Sequence, residues 1–505
     1  MLDRSRFNNQ QSQERSKNRS LLWFPLALLA IGIAAFGLRF WGLSRFNMLV
    51  FDEVYFAKFA DNYLTQTPFF DGHPPLSKYL IALGMWLGQY FPFAQEPQNE
   101  LTGSLRSTFS YRWMNALVGS LIPLVMAGVA YEVGRRRSFA LLAGAFTALD
   151  GLLLVESRYA FTNVYLLLFG LAGQWMVLRA LRTPSTPRKG TRQWVLAGFF
   201  FGAAACVKWN GLWFLLGIYA VWGWAKIDRF LTRQQSASSP SGNPEAPRGG
   251  VLQQVAQIPV WKIALYLGFL PLLVYSLIWI PHLQLDTSFN FWETQQQILA
   301  YHQRVGGNEP SVHPYCSPWY TWPWLIRPVL YVYETARNLT DAIPIEPDIP
   351  TAQAKVIYDV HAIGNPLLWW FSTATILTLI LVFSQHTIGQ LQRPRRQNSE
   401  SALLPSQELW VIGYLVINYG ANLLPWVPVQ RCTFLYHYLG AYLFALLGLA
   451  WLVDRWWHSQ QSGQRILALS IGLGGLLAFL FWLPLYLGLP LSLDALQLRR
   501  WLVTW

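Results

Sequence analysis

The chain has 505 residues, of which 53% are hydrophobic and only 12% charged. A soluble domain carries roughly a quarter charged residues, so this composition excludes an ordinary soluble protein and points to a membrane chain. The 26 Trp, 23 Tyr and 31 Phe suit a membrane–water boundary, and the formal charge of +13 is spread between apolar runs, which argues for positive cytoplasmic loops and against a nucleic-acid partner.

A helix needs about 20 apolar residues to cross a bilayer core. In chain order such runs lie near 21–41, 113–131, 138–155, 161–181, 194–208, 210–226, 262–281, 366–384, 409–425, 434–453 and 466–489, with 194–208 and 210–226 the shortest. They predict an all-α polytopic membrane protein with about eleven transmembrane helices. The length of the first run, and the spans that follow it, favour an uncleaved anchor over a signal peptide. Arg4, Arg6, Arg15, Lys17 and Arg19 precede it and place the N-terminus, residues 1–20, in the cytoplasm. Counting spans from there puts Arg135–Arg137 and the basic stretches 182–192, 228–235, 393–397 and 454–465 on the same side; "LRRW" near the C-terminus is the exception.

The expected division is an N-terminal membrane half, 21–226, with a first outer loop at 42–111. A cytoplasmic linker follows at 227–261, Pro/Gly/Ser-rich over 236–250, and then a C-terminal membrane half, 262–505, with a second outer loop at 282–365. No internal repeat is evident. Both outer loops are dense in aromatic, Pro and ionisable residues, and long ordered loops on one face are where function is usually carried.

The same count brings Asp52, Glu53, Arg112, Asp150, Glu156, Arg158, Lys208, Arg431 and His437 to the outer boundary. Ionisable groups at membrane depth are expensive and so are functional candidates. Each alone reads equally as a snorkelling anchor or half of a structural ion pair; together, both signs on one face favour function. Carboxylates mixed with cations suit transfer from a lipid phosphate. A hydroxyl nucleophile needs a carboxylate to take its proton, and the leaving phosphate needs Arg or Lys. No P-loop or dinucleotide fingerprint is present, which argues against a nucleotide-driven pump. His302 and His313, even with Glu293, match no zinc spacing, so no metal or cofactor is expected. Cys206, Cys316 and Cys432 show neither a disulfide framework nor a metal-binding spacing, although Cys316 and Cys432 both fall on outer segments and a bridge between them stays open.

"FDEVYFAKFADNYL" (51–64) followed by "FFDGHPPLSKYLIALG" (69–84) resembles the first outer loop of the protein O-mannosyltransferases. The resemblance continues in order through "YRWMNALVGSLIP" (111–123), "ALDGLLLVESRYAFTN" (148–163), "VKWNGLW" (207–213), the segment 300–329 with "HPYCSPWYTWPW", "GNPLLWW" (364–370) and "LPWVPVQRCTFLYHYLGA" (424–441). It covers nearly the whole chain. Two departures stand out: no inserted repeat domain sits in the second outer loop, as in a bacterial type, and Cys316 stands where the family usually has Ser. The resemblance implies the GT-C architecture, a helical bundle topped by ordered outer loops. It implies transfer of mannose from polyprenyl-phosphate mannose to Ser or Thr of exported proteins at the outer face of the cell membrane, with inversion from a β-linked donor to an α-linked product.

On that reading Asp52 is the general base, and Glu53, which points elsewhere from its neighbour, serves positioning or ion pairing. Arg112, Arg158, Lys208 and Arg431 are the candidates to hold the donor phosphate, with Arg112 best supported by the resemblance. Glu156 reads as the partner of Arg158. Asp71 and His73 precede Pro74 and Pro75, which fix their direction, so His73, with His302 and His313, is expected near substrate. His437 reads as a core or interfacial residue, and apolar grooves between spans are expected to hold the prenyl tail. Two other readings remain: a related enzyme with a lipid or glycan acceptor, and a transporter, for which Lys208 between two short spans is the most suggestive feature.

Overall fold

The computed structural model describes residues 22–182, 187–237, 250–341, 343–344, 349–392 and 404–505. The N-terminal segment 1–20, the 393–397 cluster and residues 238–249 of the linker lie outside the described residues. The apolar runs become helices because a backbone in hydrocarbon finds no water and must satisfy its own N–H and C=O groups.

Helix α1 (Leu22–Phe40) is followed by α2 (Glu53–Thr65), α3 (Leu76–Gly88) and a hairpin of β1 (Gln98–Asn99) with β2 (Arg106–Ser107). The first half continues with α4 (Thr108–Gly134), α5 (Arg137–Ala148), α6 (Gly151–Glu156), α7 (Asn163–Leu181), α8 (Pro187–Ala205) and α9 (Leu212–Ala237). After α10 (Val251–Ala256), one long span over Val260–Leu285 comprises α11 (Val260–Lys262), a π-helical stretch (Ile263–Phe269), α12 (Leu270–Ile278) and α13 (Ile280–Leu285). The second outer segment holds α14 (Phe291–Arg304), β3 (Val329–Ala336) and β4 (Val356–Ala362). Helices α15 (Pro366–Gln392), α16 (Ser406–Leu423), α17 (Leu439–Trp457) and α18 (Ser462–Leu487), then β5 (Pro490–Leu491) and α19 (Leu493–Gln497), complete the chain.

Among the described residues, seven helices are long and apolar enough to cross a membrane, and the protein is a multi-pass membrane protein. Their burial sorts them: 78% of the apolar window is buried in Asn163–Leu181 and in Leu435–Trp457, against 11% in Leu22–Phe40. Helices α7 and α17 are therefore central, while α1 presents an apolar surface that only lipid can cover. At one end of the bundle Arg182 pairs with Glu132 at 3.1 Å, Arg136 with Asp454 at 2.8 Å, and Arg455 with Glu408. The ionisable residues at positions 52, 112, 156, 208 and 431 gather at the opposite end, described below.

Two features differ from expectation, and a third answers a question the sequence left open. The 138–155 run is not one helix: it breaks at Leu149 and Asp150, where the Asp150 carboxylate accepts from Leu153 N at 2.9 Å, Asn365 N at 3.2 Å and Tyr442 Oη at 3.0 Å. A side chain that caps a new helix start ends the old one. The fold also carries a three-stranded antiparallel sheet, β3-β4-β5, whose middle strand is buried along its length and packs on α6 and α18. Its strands are 20 and more residues apart in sequence, so no hairpin turn announced them. Finally, Cys316 and Cys432 form a disulfide, with Cα atoms 5.1 Å apart.

Candidate active site

The site begins with a strained residue. Phe51 has φ of 47°, a region a bulky side chain avoids and occupies only when its surroundings over-determine it. Its ring stacks on Tyr331 at 4.9 Å and meets Phe434, His313 and Phe161 edge-on at 5.9, 6.1 and 6.5 Å. That aromatic box turns the chain so that Asp52 becomes the N-cap residue of α2 and Glu53 its first helical residue.

The two carboxylates then separate. Glu53 is fully buried and accepts from Arg112 Nε at 2.9 Å, Arg112 Nη2 at 2.7 Å, Val50 N at 2.8 Å and Ala160 N at 2.8 Å. Asp52 makes no capping hydrogen bond. Its Oδ2 accepts from Tyr436 Oη at 3.4 Å. Burial pushes the Asp52 carboxyl up to about 6, against the pull of Lys208 and Tyr436, with Asp71 adding to the rise. It is thus ionised at neutral pH and close to the range of an efficient proton acceptor.

The four cations also divide. All five guanidinium N–H groups of Arg112 are engaged: those to Glu53, Nη1 to the carbonyls of Leu43 (3.2 Å) and Phe46 (2.9 Å), and Nη2 to Met48 O at 2.7 Å. Arg158 closes the C-terminal end of α1, its Nη1 donating to the carbonyls of Leu38, Arg39 and Trp41 and its Nη2 to Gly42 O. This is a favourable place for a cation, where helix carbonyls lack partners. Arg112 has no N–H left to offer, and Arg158 spends its Nη groups on these carbonyls with only a buried Nε unpartnered, contrary to the expectation that they hold phosphate. Glu156, expected beside Arg158, instead accepts from Tyr331 Oη and from Asn163 Nδ2 at 2.8 Å.

Lys208 and Arg431 are placed differently. Lys208 Nζ donates to Asn163 Oδ1 at 3.0 Å and lies 5.6 Å from the centre of the Tyr436 ring. Arg431 Nη1 donates to Cys432 O at 3.1 Å. Among the described residues neither has a carboxylate within ion-pair distance. Lys208 acts electrostatically on both Asp52 and Arg431, and the two cations, neither with a carboxylate at ion-pair distance, form a place where an anion would be stabilised.

His73 and His302 face each other with ring centres 5.2 Å apart, and Trp209 lies 6.3 Å from His302. Burial, then Arg431, holds His302 down at about 4, and burial with Lys208 holds His73 well below its usual value. Both rings are neutral at neutral pH and offer hydrogen bonds rather than charge. The His73 turn is clamped by Lys78, which donates to Asp71 at 2.5 Å and to the carbonyls of His73 (2.8 Å) and Pro74 (2.6 Å). A Cβ at Gly72 would lie 2.3 Å from the Tyr301 ring, which would have to move to admit it. His313 lies apart from the other two histidines' ring pair, packed on Phe434 at 5.1 Å, and the Glu293 carboxylate is used in the capping box of α14. His437 stacks on Tyr436 at 4.7 Å and packs edge-on against Trp426 at 4.7 Å, as a core residue does. Among the described residues no group of three or more His, Cys, Asp or Glu side chains could hold a metal ion.

An apolar groove of about 820 Å³ is lined by Trp209, which follows Lys208 in the chain, and by Trp213, Leu216, Tyr219, Leu267 and Leu272. Sequence reasoning missed Phe51, Tyr331, Asn163 and Tyr436. Tyr436 sat inside a quoted motif where the adjacent histidine drew attention; Tyr331 reaches Glu156 across 175 positions, with no local signal.

Residues 29–285 match the family model described as dolichyl-phosphate-mannose-protein mannosyltransferase, and residues 288–505 that of the C-terminal four-TMM region of protein O-mannosyltransferase. The polyprenol-phosphate-mannose–protein mannosyltransferase of Mycolicibacterium smegmatis (strain MKD8) is 23% identical over 513 residues, covering 90% of this chain and 87% of that one. The enzyme of the same description from Corynebacterium glutamicum is 24% identical, covering 86% and 81%. In fold, the chain is similar to a structure of the Saccharomyces cerevisiae protein O-mannosyltransferase Pmt1–Pmt2 complex bound to the sugar donor, with a TM-score of 0.73 at 16% identity over 95% of this chain and 92% of that one.

Proposed function

The chain belongs to the dolichyl-phosphate-mannose-protein mannosyltransferase family, with its GT-C fold, and on that premise we propose that it moves mannose from polyprenyl-phosphate mannose to Ser and Thr hydroxyls of exported polypeptides at the outer face of the cell membrane. One observation carries the residue assignment. Asp52 has a carboxylate free of any cap or ion pair, and it interacts with Lys208, which in turn neighbours Arg431, neither cation having a carboxylate at ion-pair distance among the described residues.

Asp52 takes the proton of the acceptor hydroxyl as that oxygen attacks the anomeric carbon from the face opposite the phosphate. The new C–O bond forms while the bond to the phosphate oxygen breaks, and its electron pair leaves with polyprenyl phosphate. Lys208 and Arg431 stabilise the charge that gathers there. Because phosphate is already a good leaving group, no acid is needed and one carboxylate suffices. Tyr436 orients Asp52. Glu53 and Arg112 hold the turn behind it, and neutral His73 and His302 supply hydrogen bonds to the headgroup. The groove below Trp209 takes the first prenyl units of the donor. The two side-chain cations provide the charge that a divalent metal would otherwise supply, so the reaction draws on no metal. The N-terminus is cytoplasmic, a reading supported by the basic ion pairs gathered at the end opposite Asp52.

The test is transfer of labelled mannose from polyprenyl-phosphate mannose to a Ser/Thr peptide by purified wild type and Asp52→Asn. The variant is expected to lose about a hundredfold or more in rate with donor still bound. Retained activity would remove Asp52 from the role of base. A wild type that transfers only to a lipid or glycan would replace the acceptor.

A further inference from the structure

A covalent bond fastens the second outer segment to the residue that follows Arg431. Cys316 and Cys432 lie 116 positions apart, are both buried, and are joined as a disulfide. Around it the two segments are stitched by backbone and side chain. Cys432 N donates to Gly306 O at 2.8 Å, Gly307 and Arg431 form a bridge, and Ser317 N donates to Thr433 O at 2.7 Å. Asn308 Nδ2 donates to Thr433 Oγ1 at 3.1 Å, and Thr433 Oγ1 to Ser317 O at 2.9 Å. The strap 306–317 therefore holds Arg431 by its own backbone and by its neighbour's side chain.

The strap also touches the residue that precedes the base. His313, three residues before Cys316, packs on Phe51 and on Phe434, and Phe51 is the strained residue that aims Asp52. Among the described residues Arg431 has no ion-paired carboxylate to hold its guanidinium in place, and its one side-chain hydrogen bond runs to the Cys432 carbonyl. Its direction is thus set by the conformation of the cysteine to which it is joined. A cation that must meet a phosphate in a fixed geometry, and that has no acidic partner, needs such an external constraint.

We propose that the Cys316–Cys432 disulfide is a positioning device for Arg431 that makes affinity for the lipid phosphate depend on the redox state of the bridge. The inference rests on the reading of Lys208 and Arg431 as the phosphate site. Opening the bridge takes two electrons and two protons from a dithiol: the S–S bond breaks, Cys316 and Cys432 become thiols, and the reductant closes to its own disulfide. The bond persists in the oxidising space outside the cytoplasm, where the proposed topology puts it.

The experiment measures binding of a C55 polyprenyl phosphate to the detergent-solubilised full chain by quenching of tryptophan fluorescence, before and after dithiothreitol, with thiol titration to confirm that two thiols are released. Opening the bridge is expected to raise Kd about tenfold, the equivalent of one charge-assisted hydrogen bond, and reoxidation to restore it. The double variant Cys316→Ser/Cys432→Ser is expected to bind at the weakened level and to ignore dithiothreitol. In Arg431→Gln, binding is weak throughout and opening the bridge changes it less than about twofold, since the device then has nothing to position. An unchanged wild-type Kd with both thiols released overturns the proposal, as does a full redox effect in Arg431→Gln. The wild-type comparison stands by itself if the double variant does not fold. Redox-dependent binding without mannose transfer would sink the functional reading and leave this inference standing; transfer with redox-independent binding would do the reverse.

Discussion

Glu53 accepts four hydrogen bonds and Asp52 accepts one, although they are adjacent. Helix α2 starts between them, so their side chains leave the backbone toward different surroundings. Two expectations follow at this scale. The base works ionised and its pKa is raised to about 6. Lowering the pH through 6 therefore protonates it, and kcat/KM should fall about tenfold per pH unit below that and level off above pH 7. A rate–pH profile of wild type checks this; a flat profile between pH 5 and 7 would remove a titrating base of that pKa. The second concerns the cations. Arg112→Gln leaves the fully buried Glu53 without its cation, which should cost about 3–5 kcal/mol of stability and appear as a large fall in Tm. Arg431→Gln should leave Tm nearly unchanged and raise the donor KM about tenfold or more. If thermal melting and donor titration show the two variants behaving alike, the division of cations into structural and phosphate-binding is wrong.

Elements explain how these residues meet. The start of α4 brings Arg112, the break between α5 and α6 leads to Glu156, the α8–α9 connection brings Lys208, and the chain entering α17 brings Arg431 and Tyr436. Each lies where a helix begins or ends at one face of the bundle, as chemistry on rigid spans requires, since the interior of a span is committed to packing. The groove lined by Trp209 is formed by α8, α9 and the Val260–Leu285 span. Filling it with Leu216→Trp should raise KM several-fold for a C55 donor and little for a C15 donor, because burial of prenyl carbons scales with the length held. Equal effects on both donors, measured side by side, would place the tail elsewhere.

The whole molecule separates two faces. Ion pairs occur at both ends, but Asp52, Lys208 and Arg431, which lack a salt-bridge partner among the described residues, lie at one of them, so sidedness is open to direct measurement. An impermeant maleimide added to intact cells should label Glu100→Cys, which is exposed in the first outer loop, and should label Ser462→Cys, exposed at the other end, only after permeabilisation. The reverse pattern would invert the topology. If Lys208 and Arg431 carry the charge on the leaving phosphate, as proposed, transfer activity should survive EDTA unchanged; loss restored by a divalent cation would show that they do not suffice.

The amino-acid sequence by itself determined the class and the location of the chemistry. Hydropathy alone dictates helices in lipid, and the placing of Lys, Arg and the acidic pairs between apolar runs marks the face where polar groups collect. The ordered motifs determined the family. Which of four cations is free was decided only by tertiary structure. Arg112 and Lys208 look alike in sequence, and the difference lies in partners contributed from elsewhere: the Leu43, Phe46 and Met48 carbonyls for one, Asn163 for the other. The strain at Phe51, the three-stranded sheet that carries Tyr331, and the pairing of Cys316 with Cys432 were likewise settled in the folded chain. The contacts of Phe51 and the disulfide join residues from 110 to 383 positions apart, the sheet joins strands 20 or more apart, and no local pattern encodes a neighbour that arrives through space.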